Sequence, residues 1–404
     1  MKLLIENAKL LTMTPDSPER GYLLVDDGII QQVGHGSCPA DAANGAQYFD
    51  AFGRVVMPGM IDAHCHLGVF NSGLRWEGHD GNELTDPITP DLNAVDSIFP
   101  DDVAVGEAAR FGITSVMTGP GSGNVIGGTF AHIHTHGRTV EDMLIREKPA
   151  MKAAFGENPK SVYGQSEKSP ATRMSSAAHF RRALDEALWY KKQKETKPDE
   201  TKPEAKWEAL LPVLTGERLI KIHAHRMDDI LTAMRLADAY GLRFTLDHCT
   251  EGYLIADILK RYYETHRGDE FGKGEPGKGK LVGIITGPLM TDRSKPEVNR
   301  QSIKNPALLA ETGIPVAIAT DHPVIPIEYL PVTAAMAIRA GMPEYLALAA
   351  ITSNAALCSD AGETHGRLAH GYAADILVLS GDPFDFRTTP DLVMIGGEMV
   401  YERR

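Results

Sequence analysis

Apolar and polar positions change rhythm twice along the chain. Near the start, short apolar runs (Leu3-Leu4-Ile5, Tyr22-Leu23-Leu24-Val25, Ile29-Ile30) are broken by Asp-Asp-Gly and other turn residues, the pattern of strands joined by tight turns. The final stretch has the same texture, with Asp375-Ile376-Leu377-Val378-Leu379, Leu392-Val393-Met394-Ile395 and Met399-Val400-Tyr401 set around Gly396-Gly397. Chain ends often lie close together in a folded unit, so these two stretches are expected to form one small β-sandwich.

Between them the texture becomes apolar strand followed by helix, repeated. Residues 55–66, 113–119, 130–136, 150–155, 219–225, 244–249, 281–286 and 316–321 read as buried parallel strands. Helical stretches lie between most of them. Residues 228–240 are an example, with Ile230, Leu231, Met234, Leu236 and Ala237 near a 3.6-residue repeat and Gly241 as the stop. Eight strands is the number that closes a (β/α)8 TIM barrel. The predicted fold class is therefore α/β: a barrel over 58–362, with the β-sandwich supplied by 1–57 and 363–404.

Two inserts interrupt this order. Residues 157–217 hold an amphipathic helix around Phe180-Arg181-Arg182-Ala183-Leu184, then a mixed charge run from Lys191 to Glu200 that reads as a solvated helix end and loop, with a lid as the minor alternative. Residues 267–280, rich in Gly, Lys and Glu, read as a mobile surface loop.

Charge narrows the partners. The 404 residues carry 54 acidic against 41 basic side chains, a net −13 that disfavours nucleic acid or an anionic membrane as the main partner. No apolar run approaches the roughly 18 residues of a membrane span. The start carries Lys2, Glu6 and Lys9 where a signal peptide needs unbroken apolar sequence. Cys38, Cys65, Cys249 and Cys358 are far apart and form no CxxC pair, so they read as reduced thiols in a cytoplasmic protein. The expected partners are a small-molecule substrate and, at most, further copies of the chain in a homo-oligomer.

The sharpest chemical feature is Pro58-Gly59-Met60-Ile61-Asp62-Ala63-His64-Cys65-His66. His64 and His66, at i and i+2 on a strand, point to one face and suit a divalent metal such as zinc. His-x-His alone is common, but here it ends a strand introduced by Pro-Gly. A second run, His132-Ile133-His134-Thr135-His136, has metal-like spacing too. No Gly-x-Ser-x-Gly or Cys/His nucleophile pattern competes.

With the opening sheet segment and the closing run Gly366-Arg367-Leu368-Ala369-His370-Gly371-Tyr372-Ala373-Ala374-Asp375-Ile376, this strand resembles the metal-dependent amidohydrolase superfamily. Within it the chain is most similar to the imidazolonepropionase-like and dipeptidase-like branch, over essentially its whole length. The resemblance implies metal ligands at the carboxyl ends of barrel strands: His64 and His66 on the first, His223 on the fifth, His248 on the sixth and Asp321 on the eighth. In binuclear members a fourth-strand lysine, carboxylated by carbon dioxide, bridges two ions. Lys152 occupies that place, and Glu157, just past the strand, is its rival, because some relatives use a glutamate. An unpaired ammonium is costly to bury, which fits a chemical role for Lys152; a surface position or a carboxylate partner is the plain alternative. The implied cofactor is a divalent metal, most simply zinc, as one or two ions. The resemblance gives no ligand to residues 132–136, so they read with 119–124 as pocket wall, Asn124 being a candidate substrate contact. His225 shares a face with His223 and is expected near the site.

The activity implied is hydrolysis of an amide-type carbon–nitrogen bond by metal-activated water, with Asp321 as ligand and general base. Deaminases and imidazolonepropionases of this resemblance carry a glutamate three residues after the fifth-strand histidine, where this chain has Arg226. That favours a dipeptide, N-acyl amino acid or cyclic amide as substrate. Ring hydrolysis of the imidazolonepropionase kind, or deamination, is the alternative, and a catalytically inactive binding or assembly protein on the same scaffold the second. Arg226 is expected either to hold a substrate carboxylate or to pair with the adjacent Asp228 and Asp229.

Overall fold

The computed structural model describes residues 2–266 and 279–403. Most of the loop expected at 267–280 lies outside the described residues.

Five strands open the chain: β1 (Leu3–Leu10), β2 (Gly21–Asp26), β3 (Ile29–His35), β4 (Gln47–Asp50) and β5 (Val55–Pro58). Eight follow: β6 (Met60–Cys65), β7 (Ile113–Thr118), β8 (Ile126–His134), β9 (Leu144–Ala154), β10 (Leu219–Ala224), β11 (Arg243–His248), β12 (Lys280–Thr286) and β13 (Val316–Ile318). Three close it: β14 (Ile376–Leu379), β15 (Pro390–Ile395) and β16 (Glu398–Glu402).

The two chain ends meet in one sheet, ordered β16-β15-β14-β5-β1-β2-β3 with β4 beside β1. β1 is the shared strand. Its first half pairs with β2 and β4, its last two residues pair with β5, and Asn7, at φ 52°, lies between. Leu3, Ile5, Leu23, Val25, Val56, Ile376, Val378, Leu392 and Met394 from both halves share one buried core. The opposite face of β14 and β15 (Leu377, Leu379, Val393, Ile395) belongs instead to the core that includes the Val103–Arg110 helix. β4 had no signal in the sequence, because Gln-Tyr-Phe-Asp is neither an apolar run nor a clean alternation.

The remaining strands form the second sheet in chain order, β6 through β13. Between β13 and β6 the closure is made by other contacts than a strand ladder. Asp62 Oδ2 accepts from Thr320 N at 3.0 Å and Thr320 Oγ1 at 2.5 Å, and His66 N donates to His322 O at 2.8 Å. Burial pushes the Asp62 carboxyl up to about 6, against the Thr320 hydrogen bonds. The helices Arg173–Thr196, Met227–Ala239 and Ala256–Thr265 cover the outside of β9 to β12. The first of these buries Ala177, Phe180, Leu184 and Ala187, the inward stripe of a surface helix. No helix among the described residues is long and apolar enough to cross a membrane.

Two expectations need correction. The apolar run 55–66 is two strands, β5 in the end sheet and β6 in the barrel, with Gly59 between them. β8, expected parallel, runs antiparallel to both neighbours. Only residues 119–125 separate it from β7, too few for the crossover a parallel pair requires. Its histidine end therefore lies at the amino-terminal end of the barrel, where His134 pairs opposite Ser115, and residues 132–136 are not pocket wall.

Gly59 marks the passage between the two sheets, and a Cβ there would overlap the side chain of Thr114. Gly59→Ala is expected to destabilise the chain by about 1–3 kcal/mol, the usual scale of overpacking. Thr114→Ala should return part of that loss in the double variant. Denaturant midpoints measure both, and an unchanged midpoint in Gly59→Ala would contradict the close approach.

Candidate metal centre

Five histidines, a lysine and an aspartate converge where the barrel strands end. His64 comes from β6 and His66 from just past it, His223 from β10 and His225 from just past it, His248 from β11, Lys152 from β9 and Asp321 from beyond β13. His64 and His248 rings are 5.1 Å apart between centroids, His223 and His248 4.5 Å, and His225 stacks on His248 at 4.8 Å. Asp321 Oδ1 stands 3.3 Å from His66 Nε2 and 3.7 Å from His64 Nε2. Lys152 Nζ is 3.3 Å from the same His64 nitrogen. His248 and Asp321 both hold positive φ, 70° and 57°, a conformation that non-glycine residues keep only when their surroundings impose it.

Each of these rings has a partner within 2.8 Å of its Nδ1, an ion-pair contact for His64 and a hydrogen bond for the other four. His64 Nδ1 lies 2.7 Å from Asp247 Oδ2, His66 Nδ1 2.7 Å from Gly119 O and His248 Nδ1 2.8 Å from Gly287 O. His223 Nδ1 meets Ser122 Oγ at 2.8 Å and His225 Nδ1 meets Thr250 Oγ1 at 2.7 Å. A ring tied at Nδ1 presents Nε2, and this outer arrangement is what metal-binding histidines require. Burial drives His64, His223, His225 and His248 below their ordinary value, so these imidazoles are neutral at neutral pH and open to a metal. Burial would raise the Asp321 carboxyl, but the His248, His66 and His64 rings around it outweigh that and hold it well below the usual range. Two sets, His64/His248/Asp321 and His223/His225/His248, each bring their ligand atoms within 4.8 Å of one another.

Under the centre lies a buried ionic group. Asp247 Oδ2 also stands 3.1 Å from Lys221 Nζ, and neither side chain has measurable exposure. Lys221 Nζ donates to Ala63 O at 3.0 Å and Thr245 Oγ1 to Asp247 Oδ1 at 2.7 Å. Burial raises the Asp247 carboxyl, yet Lys221 and His64 overcome this and hold it well below the carboxylate range. Lys152 sits opposite Lys221 in the β9–β10 register, and Phe130 lies 5.6 and 5.5 Å from the two ammonium nitrogens. Burial brings the Lys152 amine down to about 8, although Asp247 and Asp321 oppose it.

The site opens into a cavity of about 1060 Å³ walled by His66, His223, His225, His248 and Asp321 with Phe70, Asn82, Ser122 and residues of the 287–305 loop, room enough for a small molecule. Sequence reasoning missed Asp247, Lys221, Phe130 and Glu297. The last is a buried carboxylate whose Oε1 stands 3.7 and 3.6 Å from His223 and His225 Nε2 and 2.7 Å from Lys295 Nζ.

Other expected site residues are elsewhere. Glu157 Oε2 accepts from Glu297 N at 3.0 Å, so it supports Glu297 and does not reach the histidines itself. Asn124 donates to Thr89 Oγ1 at 2.8 Å and accepts from Tyr163 OH at 2.6 Å, tying loops together away from the cavity wall. Arg226 makes two bonds to Asp228, at 2.9 and 3.0 Å, on the surface beside the Met227–Ala239 helix. Arg226 is not among the residues that wall the cavity.

Comparison with known proteins agrees with this geometry. The profile of the Amidohydrolase family matches residues 55–400, most of the chain. The chain belongs to the amidohydrolase family. Of related proteins, "Amidohydrolase tasK" from Hapsidospora irregularis is 28% identical over 95% of this chain. The match spans about two fifths (40%) of that protein's length. The crystal structure of an amidohydrolase from Thermotoga maritima MSB8 is 35% identical over the full length of both chains, with TM-score 0.91. A prolidase crystallised with N-methylphosphonate-L-proline shares the fold at TM-score 0.60 and 16% identity, again over both full chains. The family is metal-dependent, and this amidohydrolase has His/Asp clusters that can hold metal.

In this amidohydrolase Asp247 both orients His64 and balances Lys221. Asp247→Asn is expected to weaken metal affinity roughly 10–100-fold, as losses of such outer partners do. It should also lower stability by about 3–5 kcal/mol, because Lys221 is left buried without its counter-charge. Chelator competition and denaturant unfolding read the two effects; unchanged metal affinity would sink the orienting role.

Proposed function

We propose that this chain is a metal-dependent hydrolase that cleaves an amide-type carbon–nitrogen bond of a small molecule: a dipeptide, an N-acyl amino acid or a cyclic amide. The observation that carries the reading is the set of five imidazoles, each tied at Nδ1, with Nε2 of His64 and His66 beside Asp321. His64, His66, Lys152, His223, His248 and Asp321 are the proposed ligands of one or two divalent ions, zinc by ligand type. When bound, such ions acidify water and polarise a carbonyl.

The chain's own residues do the rest. Asp321, held ionised among the histidines, takes the proton of the attacking water and passes it to the leaving nitrogen. Lys152 is the proposed bridge in its carboxylated form: its amine, brought down to about 8, is readily freed of its proton to attack carbon dioxide. Its 3.3 Å approach to His64 favours it over Glu157, which is occupied at Glu297. Residues of the 287–305 loop wall the cavity, and Phe130 lies beside the ammonium groups of Lys152 and Lys221. We assign the barrel at 58–362 as the catalytic unit and the sheet of 1–57 with 363–404 as its brace. The four unpaired cysteines fit a cytoplasmic setting.

Metal analysis followed by a screen of dipeptides, N-acyl amino acids and cyclic amides tests the substrate class. Hydrolysis of at least one group by metal-replete protein is expected. Ammonia release from aminated heterocycles, with no turnover in the screen, would instead favour deamination.

Two substitutions test the residues. Lys152→Ala should drop metal content from about two ions towards one, and short carboxylic acids should restore part of the activity by replacing the bridge. Full metal in Lys152→Ala, with loss in Glu157→Ala, would move the role to Glu157. Asp321→Asn, nearly the same shape, should fold and yet lose about two or more orders of magnitude in rate. Near-normal turnover with metal bound would rule out Asp321 as the base.

A further inference from the structure

The second histidine run has a destination of its own. Because β8 is reversed, His132 and His134 end at the barrel face opposite the cavity, where the end sheet docks. There His134 Nε2 stands 3.4 Å from Asp375 Oδ2, and His365 Nε2 stands 4.0 Å from the same oxygen. The three ligand atoms all lie within 4.8 Å of one another. His365 and Asp375 are 8% and 6% exposed.

Two of the three groups are held by a partner on the side far from the common point. His365 Nδ1 meets Thr364 Oγ1 at 2.8 Å, and Asp375 Oδ1 accepts from Gly396 N at 2.7 Å. His134 Nε2 and Asp375 Oδ2, the atoms facing that point, have no hydrogen-bond partner. Facing each other at 3.4 Å they form a loose ion pair, which an ion between them would draw into two direct bonds. Two ligands about 2.1 Å from one tetrahedral ion stand about 3.4 Å apart, the separation seen between His134 and Asp375.

We propose that His134, His365 and Asp375 form a second cation site, separate from the cavity, that takes a divalent first-row transition ion and staples the barrel to the end sheet. Two imidazoles and one carboxylate suit zinc and its neighbours better than calcium or magnesium. Three protein ligands leave a fourth position to water, on the side where His134 is partly exposed. The ion joins the end of β8, the loop carrying His365 and the start of β14, segments that no strand ladder links to one another.

The probe is zinc. Crystals of the full chain soaked in zinc and measured at its absorption edge should give an anomalous peak among His134, His365 and Asp375, distinct from any peak in the cavity. In solution, His365→Gln should lose about one zinc per chain by mass spectrometry and lose zinc-dependent thermal stabilisation, while turnover at the cavity stays near that of the parent. His134→Gln, at a more exposed position, serves if His365→Gln does not fold. A cavity filled with zinc, no peak at this site and unchanged zinc content in the variant would overturn the proposal and leave the three groups as a salt-bridged clasp.

Discussion

The centre depends on one carboxylate that touches nothing outside the protein. Asp247 lies between Lys221 and His64, fully buried, within 3.1 and 2.7 Å of their nitrogens. A buried ion pair is a poor source of stability in itself, since desolvation offsets most of its attraction and an apolar replacement of equal shape often does as well. What such a pair supplies here is orientation. Asp247 reads the Nδ1 of His64 and so fixes which nitrogen faces Asp321, and Lys221, bonded to Ala63 O, ties that decision to the backbone of β6. Three strands, β6, β10 and β11, are thereby locked in register at the level of the site.

The reversed strand follows the same logic. A parallel β8 needs a crossover helix outside the barrel; the short connection from β7 instead lets the chain double back along the wall. Phe130 then faces inward and offers its ring to both Lys152 and Lys221. An aromatic face is one of few neighbours that can sit against two adjacent ammonium groups without adding a further unpaired charge. The same reversal carries His132 and His134 to the far end, so one choice of strand direction separates the two histidine runs that look alike in sequence.

How much of this was legible in the chain depended on how local its cause was. His64 and His66 were legible because a strand end and a period of two place them together within three residues. All eight barrel strands were legible as apolar runs, but not their direction, because a buried strand reads the same either way. The end-sheet strands were visible except β4, whose polar residues are held by pairing to β1 and not by a pattern of their own. Asp247 escaped because alternation puts neighbours on opposite faces and so assigns only one of it and His248 to the site. The positive φ of His248 breaks that rule by turning its ring at the strand end. Lys221, two before His223, obeyed the alternation and was readable, yet it was passed over for the histidine. Glu297 sits in a short helical turn at Pro296–Val298 and Thr250 on a loop, and no periodicity reports where such segments land. Arg226 went the other way, since its partner Asp228 was in plain view.

Charge closes the argument about the fourth strand. Lys152 and Lys221 are cross-strand neighbours, and Asp247 and Asp321 are the two acids that face them, so without metal the four charges cancel. Glu297 and Lys295 cancel separately at 2.7 Å. A pair of divalent ions bound among neutral imidazoles upsets this balance by four positive charges, in surroundings where uncompensated charge is expensive. Protonated Lys152 next to His64 would add a like charge at the point of binding. Loss of its proton removes that repulsion, and in the proposed carboxylated form the side chain would carry a negative charge instead. Of the two cross-strand lysines, Lys152 is the one placed 3.3 Å from His64 Nε2. The amine on β9, brought down by burial to about 8, is the feature that supports the proposed role of Lys152 at this centre.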